Sequence, residues 1–241
     1  MNNIMLFCFP HAGGTANSYI VWRNILKNNI ILYPVELSGR GKRIGEPLYG
    51  SFNEILEDTY NIVLRNINGL QFALWGHSMG AVIAFELAKK LRETRVAGLK
   101  HLFVSGMRAP HVLKEEEMYY HKMPEAEFTE YIKKLGGIPE GVFEHPELLR
   151  EILNLTRNDL RIIEEYRNSC KDKPLNCDIS VLIGREDVVN YSGAHEWYKY
   201  SSKTCSINYF DGGHFFINNE MESIAPIINN ALLGSRDKQY L

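Results

Sequence analysis

The sequence has few of the features that mark secreted or membrane-bound proteins. Its four cysteines, Cys8, Cys170, Cys177 and Cys205, form neither a Cys-x-x-Cys pair nor the dense spacing of a disulfide scaffold, so we expect reduced, packed thiols. No apolar run approaches the roughly 20 residues that a membrane span requires. No basic segment precedes the short apolar run at the start, so no secretory leader is predicted. We therefore expect a cytoplasmic protein that contacts no membrane.

An excess of charge of one sign is also missing. The 241 residues include 27 Lys and Arg against 29 Asp and Glu, a formal charge of −2. A chain without a basic field has no general attraction for nucleic acid, and we expect none as a partner. With 45% hydrophobic and 23% charged residues, the composition is that of a soluble globular protein. At this length we expect one domain over residues 1–241.

Short apolar segments alternate with longer segments of helical period. This alternation predicts an α/β fold with a mostly parallel central sheet flanked by helices. Helices are predicted over Phe52–Ile67 and Ala81–Leu91, because apolar residues recur there every three or four positions. Six segments are predicted as strands: Ile4–Phe9, Ile30–Val35, Phe72–Trp75, Leu102–Ser105, Ile179–Ile183 and Ser206–Phe210.

The alternation stops between Met107 and about Pro174. This stretch contains two helical patterns, Glu125–Leu135 and Glu147–Tyr166, separated by the breaker-rich residues 136–141, and no convincing strand. A simple crossover between strands needs far fewer residues. We therefore expect an extra helical layer inserted at about residues 110–170. A decorated crossover helix is the alternative.

A Gly-His-Ser-Met-Gly motif at residues 76–80 fits Gly-x-Ser-x-Gly, the sharp strand-to-helix turn that exposes a nucleophilic serine. The pattern alone is weak, because chance produces it in roughly one sequence in ten of this composition. Its setting makes it stronger, since the predicted strand Phe72–Trp75 precedes it and the predicted helix Ala81–Leu91 follows it. Ser78 is therefore the predicted nucleophile.

A serine nucleophile needs a general base, and the base needs an orienting carboxylate. His214 lies in a glycine-rich loop after the last predicted strand and is the predicted base. We interpret His77 as structural, because neighbouring side chains on such a turn point apart. Asp187 follows the fifth predicted strand, where the acid belongs in the chain order Ser, Asp, His. Glu186, one residue earlier, is the alternative acid.

The third requirement is a pair of backbone N–H donors for the oxyanion that forms during attack. Met79 follows the nucleophile at the start of its helix and is one predicted donor. The segment Phe-Pro-His-Ala-Gly-Gly at residues 9–14, which we call the donor loop, resembles the glycine-rich donor loops of hydrolases. Ala12 is the predicted second donor. A flexible turn without this role is the alternative, and the role of His11 stays open.

Together these motifs resemble those of the type II (editing) thioesterases that accompany nonribosomal peptide and polyketide synthases. That group is related to the thioesterase that releases medium-chain fatty acids from fatty acid synthase. Ser38 and Asn158 depart from the family pattern, but neither belongs to the predicted triad. The resemblance covers nearly the whole chain and also includes Glu36–Arg43, Ser105–Pro110, Leu135–Pro139, Arg157–Leu160 and Gly212–Phe216.

The resemblance implies an α/β-hydrolase fold whose helical insertion is a mobile lid. It implies an acyl or aminoacyl thioester as substrate, carried on the phosphopantetheine arm of an acyl or peptidyl carrier protein. Ser78 would attack the thioester, His214 would accept its proton and Asp187 would orient the imidazole. Neither a metal nor a redox cofactor is expected, and we expect a monomer. Independently of the resemblance, the second helical pattern has more apolar residues than one core-facing stripe requires, so we expect some of them to line an acyl pocket, Leu153 among them: Leu148, Leu149, Ile152, Leu153 and Leu155.

Other functions use the same residues. A carboxylesterase or lipase acting on small esters would have the same triad and oxyanion donors. An acyltransferase would pass the acyl group to an alcohol or amine instead of water. A scaffold that binds carrier domains without catalysis is a third alternative, disfavoured by the intact Ser78, Asp187 and His214.

Overall fold

A computed structural model describes residues 3–114, 119–166, 173–187 and 193–234. All neighbouring strands in its sheet are parallel, in the order β2-β1-β3-β4-β5-β6. The predicted α/β fold with a parallel sheet is confirmed, and most strands are longer than the sequence pattern predicts. The six strands are β1 (Ile4–Phe9), β2 (Ile30–Pro34), β3 (Gln71–His77), β4 (Leu99–Ser105), β5 (Asp178–Gly184) and β6 (Cys205–Phe210).

The α-helices of the described ranges include the four that the sequence predicts. A fifth, over Met221–Leu233, and a 3₁₀ helix over Ala16–Asn24 are absent from the sequence prediction. Pro226 interrupts the helical pattern of that fifth helix, so its period is hard to read. The α-helices are α1 (Phe52–Asn66), α2 (Met79–Glu93), α3 (Glu125–Leu135), α4 (Pro146–Glu165) and α5 (Met221–Leu233).

Helices cover both faces of the sheet. Along β3, Leu74 belongs to the apolar cluster that α1 and α2 share, whereas Trp75 belongs to the cluster on the opposite face with Trp22 and α5. Successive strand residues point to opposite faces, so a sheet covered on both sides needs apolar residues at every position. This explains why the strands appear in the sequence as short continuous apolar runs.

The segment between β4 and β5 has a small apolar cluster of its own. Its described part, residues 119–166, contains α3 and α4 and no strand. Phe128 and Ile132 of α3 pack on Leu153 of α4 in a cluster separate from the two clusters on the sheet. The two helices therefore pack on each other, and Ile162 near the end of α4 also joins the cluster on the α1–α2 face of the sheet.

The parallel sheet brings the predicted site residues to one edge. In a parallel sheet the carboxyl ends of the strands all lie at the same edge, where ligands bind in α/β proteins. Ala12 follows β1, Ser78 follows β3, Asp187 follows β5 and His214 follows β6. Segments far apart in the sequence therefore meet above this edge.

A buried histidine in the sheet makes the stability of the fold depend on pH. His101 on β4 places its Nε2 2.9 Å from the hydroxyl of Ser180 on β5, and burial lowers its pKa from 6.5 to about 4. The unfolded chain takes up this proton below pH 6.5 and the folded chain does not. The fold therefore loses stability as the pH falls from 6.5 towards 4, and this histidine has little effect above that range.

We expect His101→Gln to reduce this acid sensitivity, because glutamine keeps a hydrogen-bonding group near Ser180 but does not titrate. One pKa unit corresponds to about 1.4 kcal/mol, so His101 accounts for about 2 kcal/mol of the stability lost between pH 7 and pH 5. Urea unfolding of both proteins at the two pH values measures the difference. An equal loss in parent and variant would show that His101 does not stay neutral in the fold.

Candidate active site

The serine turn is strained and is held by close backbone packing. Ser78 lies between the end of β3 and the start of α2, with φ 54° and ψ −120°, a conformation that residues other than glycine rarely adopt. A Cβ on Gly76 would lie 1.9 Å from the carbonyl oxygen of Gly80, and a Cβ on Gly80 would lie 2.1 Å from that of Phe9. Only glycine fits at these two positions, so the motif spacing follows from sterics.

The predicted base and acid are hydrogen-bonded to each other. Nδ1 of His214 lies 2.8 Å from Oδ2 of Asp187, and their side chains are 11% and 4% exposed. Glu186, the alternative acid, is exposed to solvent. A carboxylate that accepts the Nδ1 proton fixes the tautomer and leaves Nε2 able to accept a proton from a nucleophile.

Ser78 and His214 line one cavity of about 200 Å³. Ala12 and its glycine neighbours in the donor loop form another wall of this cavity. Leu135 at the end of α3, residues 136–139 after it, and the α4 side chains Ile152, Thr156 and Leu160 form a further part of the lining. Met79 begins α2 and its side chain is buried. The cavity thus brings together the predicted nucleophile, the predicted base and the donor loop.

The expectation that Leu153 lines the pocket is wrong. Leu153 is 7% exposed and packs on Phe128 and Ile132 between α3 and α4. The α4 residues that line the cavity recur every four positions, starting at Ile152. Adjacent positions on a helix point about 100° apart, so Ile152 and Leu153 lie on different faces of α4. Both faces contain apolar residues, and the sequence pattern therefore does not show which face lines the cavity.

Two further imidazoles lie beside His214. His77 is buried, its Nδ1 lies 2.9 Å from the hydroxyl of Ser105, and its ring centroid lies 5.0 Å from that of His214. Burial lowers the pKa of His77 well below its usual range and lowers the pKa of His11 to about 4. Both rings are therefore neutral at pH 7 and add no positive charge beside His214.

A buried ion pair behind the donor loop is absent from the sequence prediction. Arg40 donates to both carboxylate oxygens of Asp159, at 2.6 and 2.8 Å, and the two side chains are 1% and 0% exposed. The N–H of Gly13 donates to the same carboxylate at 2.8 Å. One sequence feature could have drawn attention to Asp159: it is a carboxylate on an otherwise apolar face of a predicted helix. Both residues lie in segments that carry the family resemblance, but they are 119 positions apart and the sequence does not show that they pair.

Gly13 has no room for a side chain. Its φ is +74°, and a Cβ there would lie 2.0 Å from Oγ1 of Thr156 on α4. Gly69 has the same φ, and a Cβ there would meet no atom within 4 Å. These two glycines share the same left-handed φ and differ in the space around them.

We expect Gly13→Ala to lower kcat at least about tenfold, because the donor loop has to move away from α4, and Ala12, the predicted oxyanion donor, would move with it. Gly69→Ala should cost about 1–2 kcal/mol of stability from the left-handed backbone and leave kcat unchanged. Steady-state kinetics and thermal unfolding of both variants measure this. Equal kcat values for the two variants would mean that the donor loop accommodates alanine at residue 13 without loss of activity.

A family model described as the thioesterase domain matches residues 5–232. The chain belongs to the thioesterase family. It is therefore an acyl-thioester hydrolase of the serine hydrolase class, with the α/β-hydrolase fold.

Individual relatives cover nearly all of this thioesterase. The linear gramicidin dehydrogenase LgrE of Brevibacillus parabrevis is 34% identical, over 95% of this chain and 88% of its own. The thioesterase PikA5 of Streptomyces venezuelae is 30% identical, over 97% of this chain and 82% of its own. The crystal structure of ClbQ from the colibactin NRPS/PKS pathway superposes with a TM-score of 0.90 at 33% identity. The superposition covers 96% of this chain and 97% of the ClbQ chain. The name of LgrE denotes a dehydrogenase, whereas the activity of this chain follows from the matched family model.

Two features are absent from the described ranges. None of the helices there combines the length and the apolar character needed to cross a membrane. In the same ranges, His, Cys, Asp and Glu side chains form no group of three or more that could hold a metal ion.

Proposed function

We propose that the protein hydrolyses acyl or aminoacyl thioesters on the phosphopantetheine arms of carrier proteins through a Ser78–His214–Asp187 triad. The observation that supports the triad most is the 2.8 Å bond from His214 to Asp187, made where His214 and Ser78 line one cavity. The carrier protein is inferred from relatives such as ClbQ, whose pathway contains nonribosomal peptide and polyketide synthases. In this proposal the enzyme acts as a cytoplasmic monomer and removes stalled or wrongly primed acyl groups.

The first chemical step forms a tetrahedral intermediate on Ser78. Nε2 of His214 accepts the hydroxyl proton of Ser78 while Oγ attacks the thioester carbonyl carbon, and Asp187 stabilises the imidazolium that results. The carbonyl oxygen becomes an oxyanion, with the backbone N–H groups of Met79 and Ala12 as its donors. Met79 opens α2, so the positive end of the helix dipole also faces this oxygen.

The second step releases both products. The tetrahedral intermediate breaks its carbon–sulfur bond, and His214 donates its proton to the departing pantetheine sulfur. Water, deprotonated by the now neutral His214, then attacks the acyl-Ser78 ester. The bond between the acyl carbon and Oγ breaks, His214 returns the proton to Ser78, and the free acid leaves. The triad supplies nucleophile, base and orienting charge, and the phosphopantetheine belongs to the carrier. The proposed reaction therefore uses neither a metal nor a redox cofactor of the enzyme itself.

The acyl group occupies the cavity against α4, and the inserted segment at about residues 110–170 acts as a lid that admits it. Two α4 positions test this. Ile152 lines the cavity, whereas Leu148, one turn earlier, is 45% exposed. Burying one methylene contributes about 0.8 kcal/mol, so a charge at residue 152 should cost most with long acyl chains.

We expect Ile152→Asp to raise KM for a six-carbon acyl thioester at least about tenfold more than for the acetyl thioester. Leu148→Asp is the control and should leave both constants near those of the parent. Circular dichroism checks the fold of each variant. An equal change for long and short substrates would place the acyl chain elsewhere.

A panel of acyl-carrier proteins tests the proposed substrate. Intact-mass spectrometry of each carrier after incubation with enzyme reports loss of the acyl group, and the released product shows whether water or another acceptor took it. The matched control is a simple ester of the same acid. We expect the carrier thioester to be consumed faster. Faster turnover of the simple ester would favour a carboxylesterase, and transfer to an added alcohol or amine in preference to water would favour an acyltransferase.

A further inference from the structure

The strongest unassigned feature is the buried ion pair behind the donor loop. We propose that Arg40 and Asp159 are positioning residues that hold the donor loop in its oxyanion-binding conformation and couple it to α4. This inference rests on the proposed function, because it concerns how the predicted donor Ala12 is oriented. Neither residue lines the cavity, so neither is proposed to touch the substrate.

As a purely structural contact, this ion pair would contribute little net stability to the fold. Both side chains are almost fully buried, at 1% and 0% exposure, and both guanidinium bonds reach the carboxylate at 2.6 and 2.8 Å. Removing two charges from water offsets much of their attraction, and apolar residues of similar size often stabilise a fold as well. A forked pair does supply fixed geometry, because its two parallel bonds define the orientation of both groups. The groups that it orients should therefore explain its presence.

Those groups are the glycines of the donor loop. The N–H of Gly13 donates to Oδ2 of Asp159 at 2.8 Å, and Nη1 of Arg40 donates to the carbonyl oxygen of Gly14 at 3.2 Å. Two adjacent glycines have wide conformational freedom, and Gly13 is at φ +74°. The ion pair thus selects one conformation of a segment that would otherwise sample many.

The peptide between Ala12 and Gly13 is fixed from both sides. Its N–H donates to Asp159, and its carbonyl oxygen lies 2.9 Å from Nδ1 of His11. Rotation of this peptide would exchange the places of the N–H and the carbonyl next to Ala12. In a trans peptide the carbonyl points away from the N–H, so the rotated carbonyl would face the carboxylate of Asp159, which repels it. Holding this peptide therefore protects the donor geometry.

The pair also connects the donor loop to the acyl pocket. Asp159 lies on α4 between Thr156 and Leu160, and both of these line the cavity. Thr156 also abuts Gly13, where an added Cβ would lie 2.0 Å from its Oγ1. Any displacement of α4 away from the sheet would withdraw Asp159 from Gly13 and Arg40. The helix that lines the acyl pocket thereby controls the loop that binds the oxyanion.

A variant that lacks both charges distinguishes an effect on catalysis from an effect on the stability of the fold. Removing Asp159 alone would leave Arg40 buried without a counterion, so we choose the double variant Arg40→Met/Asp159→Leu. We expect it to fold, with kcat for an acetyl thioester at least about thirtyfold lower and KM changed less than about threefold, since one oxyanion donor contributes about 10²–10³ in kcat. A kcat within about threefold of the parent would overturn the proposal, because the pair would then be structural only.

The control lies on the same helix. Glu164 of α4 pairs with His121, at 11% and 10% exposure, and this pair lies outside the donor loop. We expect Glu164→Gln to lower the thermal unfolding temperature while kcat stays at the parent value. A fall in kcat equal to that of the double variant would mean that any loosening of α4 is enough, and the specific positioning role would be rejected.

A second variant tests the same proposal if the double variant does not fold. Arg40→Lys keeps a positive charge beside Asp159 but replaces the fork with one ammonium group, so it cannot bind both Asp159 oxygens and Gly14 in the same geometry. We expect kcat at least about fivefold lower with little change in KM. Unchanged kcat would contradict the proposal.

The rate at which a fluorophosphonate labels Ser78 distinguishes this proposal from the proposed function. Phosphonylation also places negative charge on an oxygen in the oxyanion site, so the double variant should react more slowly than the parent. Absence of labelling at Ser78 in the parent would refute the triad itself. Labelling of parent and double variant at equal rates would retain the triad and reject the positioning role.

Discussion

Ser78→Ala is expected to lower kcat by at least about 10⁴-fold without unfolding the protein. The hydroxyl lies at the turn between β3 and α2, where it lines the cavity and contributes little packing. Alanine has the same Cβ, so the strained backbone of the turn is unchanged. Turnover of an acyl thioester at saturating substrate measures the loss, and thermal unfolding verifies the fold.

His214→Ala should be about as damaging as Ser78→Ala, and combining the two should add little, because members of a triad act as a unit. Ser51→Ala is the control for loss of a serine hydroxyl. Ser51 caps α1, so this change should cost about 1 kcal/mol of stability and leave kcat unchanged. Residual activity of Ser78→Ala within about tenfold of the parent would mean that another group is the nucleophile.

Asp187→Asn is expected to lower kcat by about 10³–10⁴-fold. Asparagine fills the same space, but its amide carries no charge to stabilise the imidazolium. It can also hydrogen-bond the other tautomer of His214, whose Nε2 is then protonated and cannot act as a base. Because Asp187 is 5% exposed and bonded to Nδ1 of His214, the loss should appear in kcat more than in KM.

Glu186→Gln is the matched control, since it removes an adjacent carboxylate that is exposed to solvent. We expect parent-like kinetics from it. If Glu186→Gln were the more damaging of the two substitutions, the acid would have been misassigned by one residue.

The sheet could be predicted from the sequence because each strand is a short run buried on both faces. The bounds of β1 and α3 match the sequence prediction, whereas β3 extends to Gln71 and His77, where polar ends hide the strand. Helix α5 is absent from that prediction, since Pro226 and the neighbouring asparagines obscure its period. Local patterns therefore identify elements more reliably than they set their ends.

The candidate site was predictable where chemistry is concentrated in a short motif. Ser78 and His214 lie in glycine-rich turns whose spacing has a steric reason. The choice between Asp187 and Glu186 depends on burial and bonding, which a sequence pattern does not resolve. The Arg40–Asp159 pair depends on tertiary contact between the donor loop and α4, so only the fold reveals it.

The most direct test of the central claim is to look for the acyl-enzyme itself. Enzyme mixed with excess acyl thioester is quenched in acid during turnover, digested and examined by mass spectrometry. The mechanism predicts a single acyl group on the peptide that contains Ser78, and none in Ser78→Ala. An acyl group on a different residue, or full turnover by Ser78→Ala, would contradict covalent catalysis by this serine.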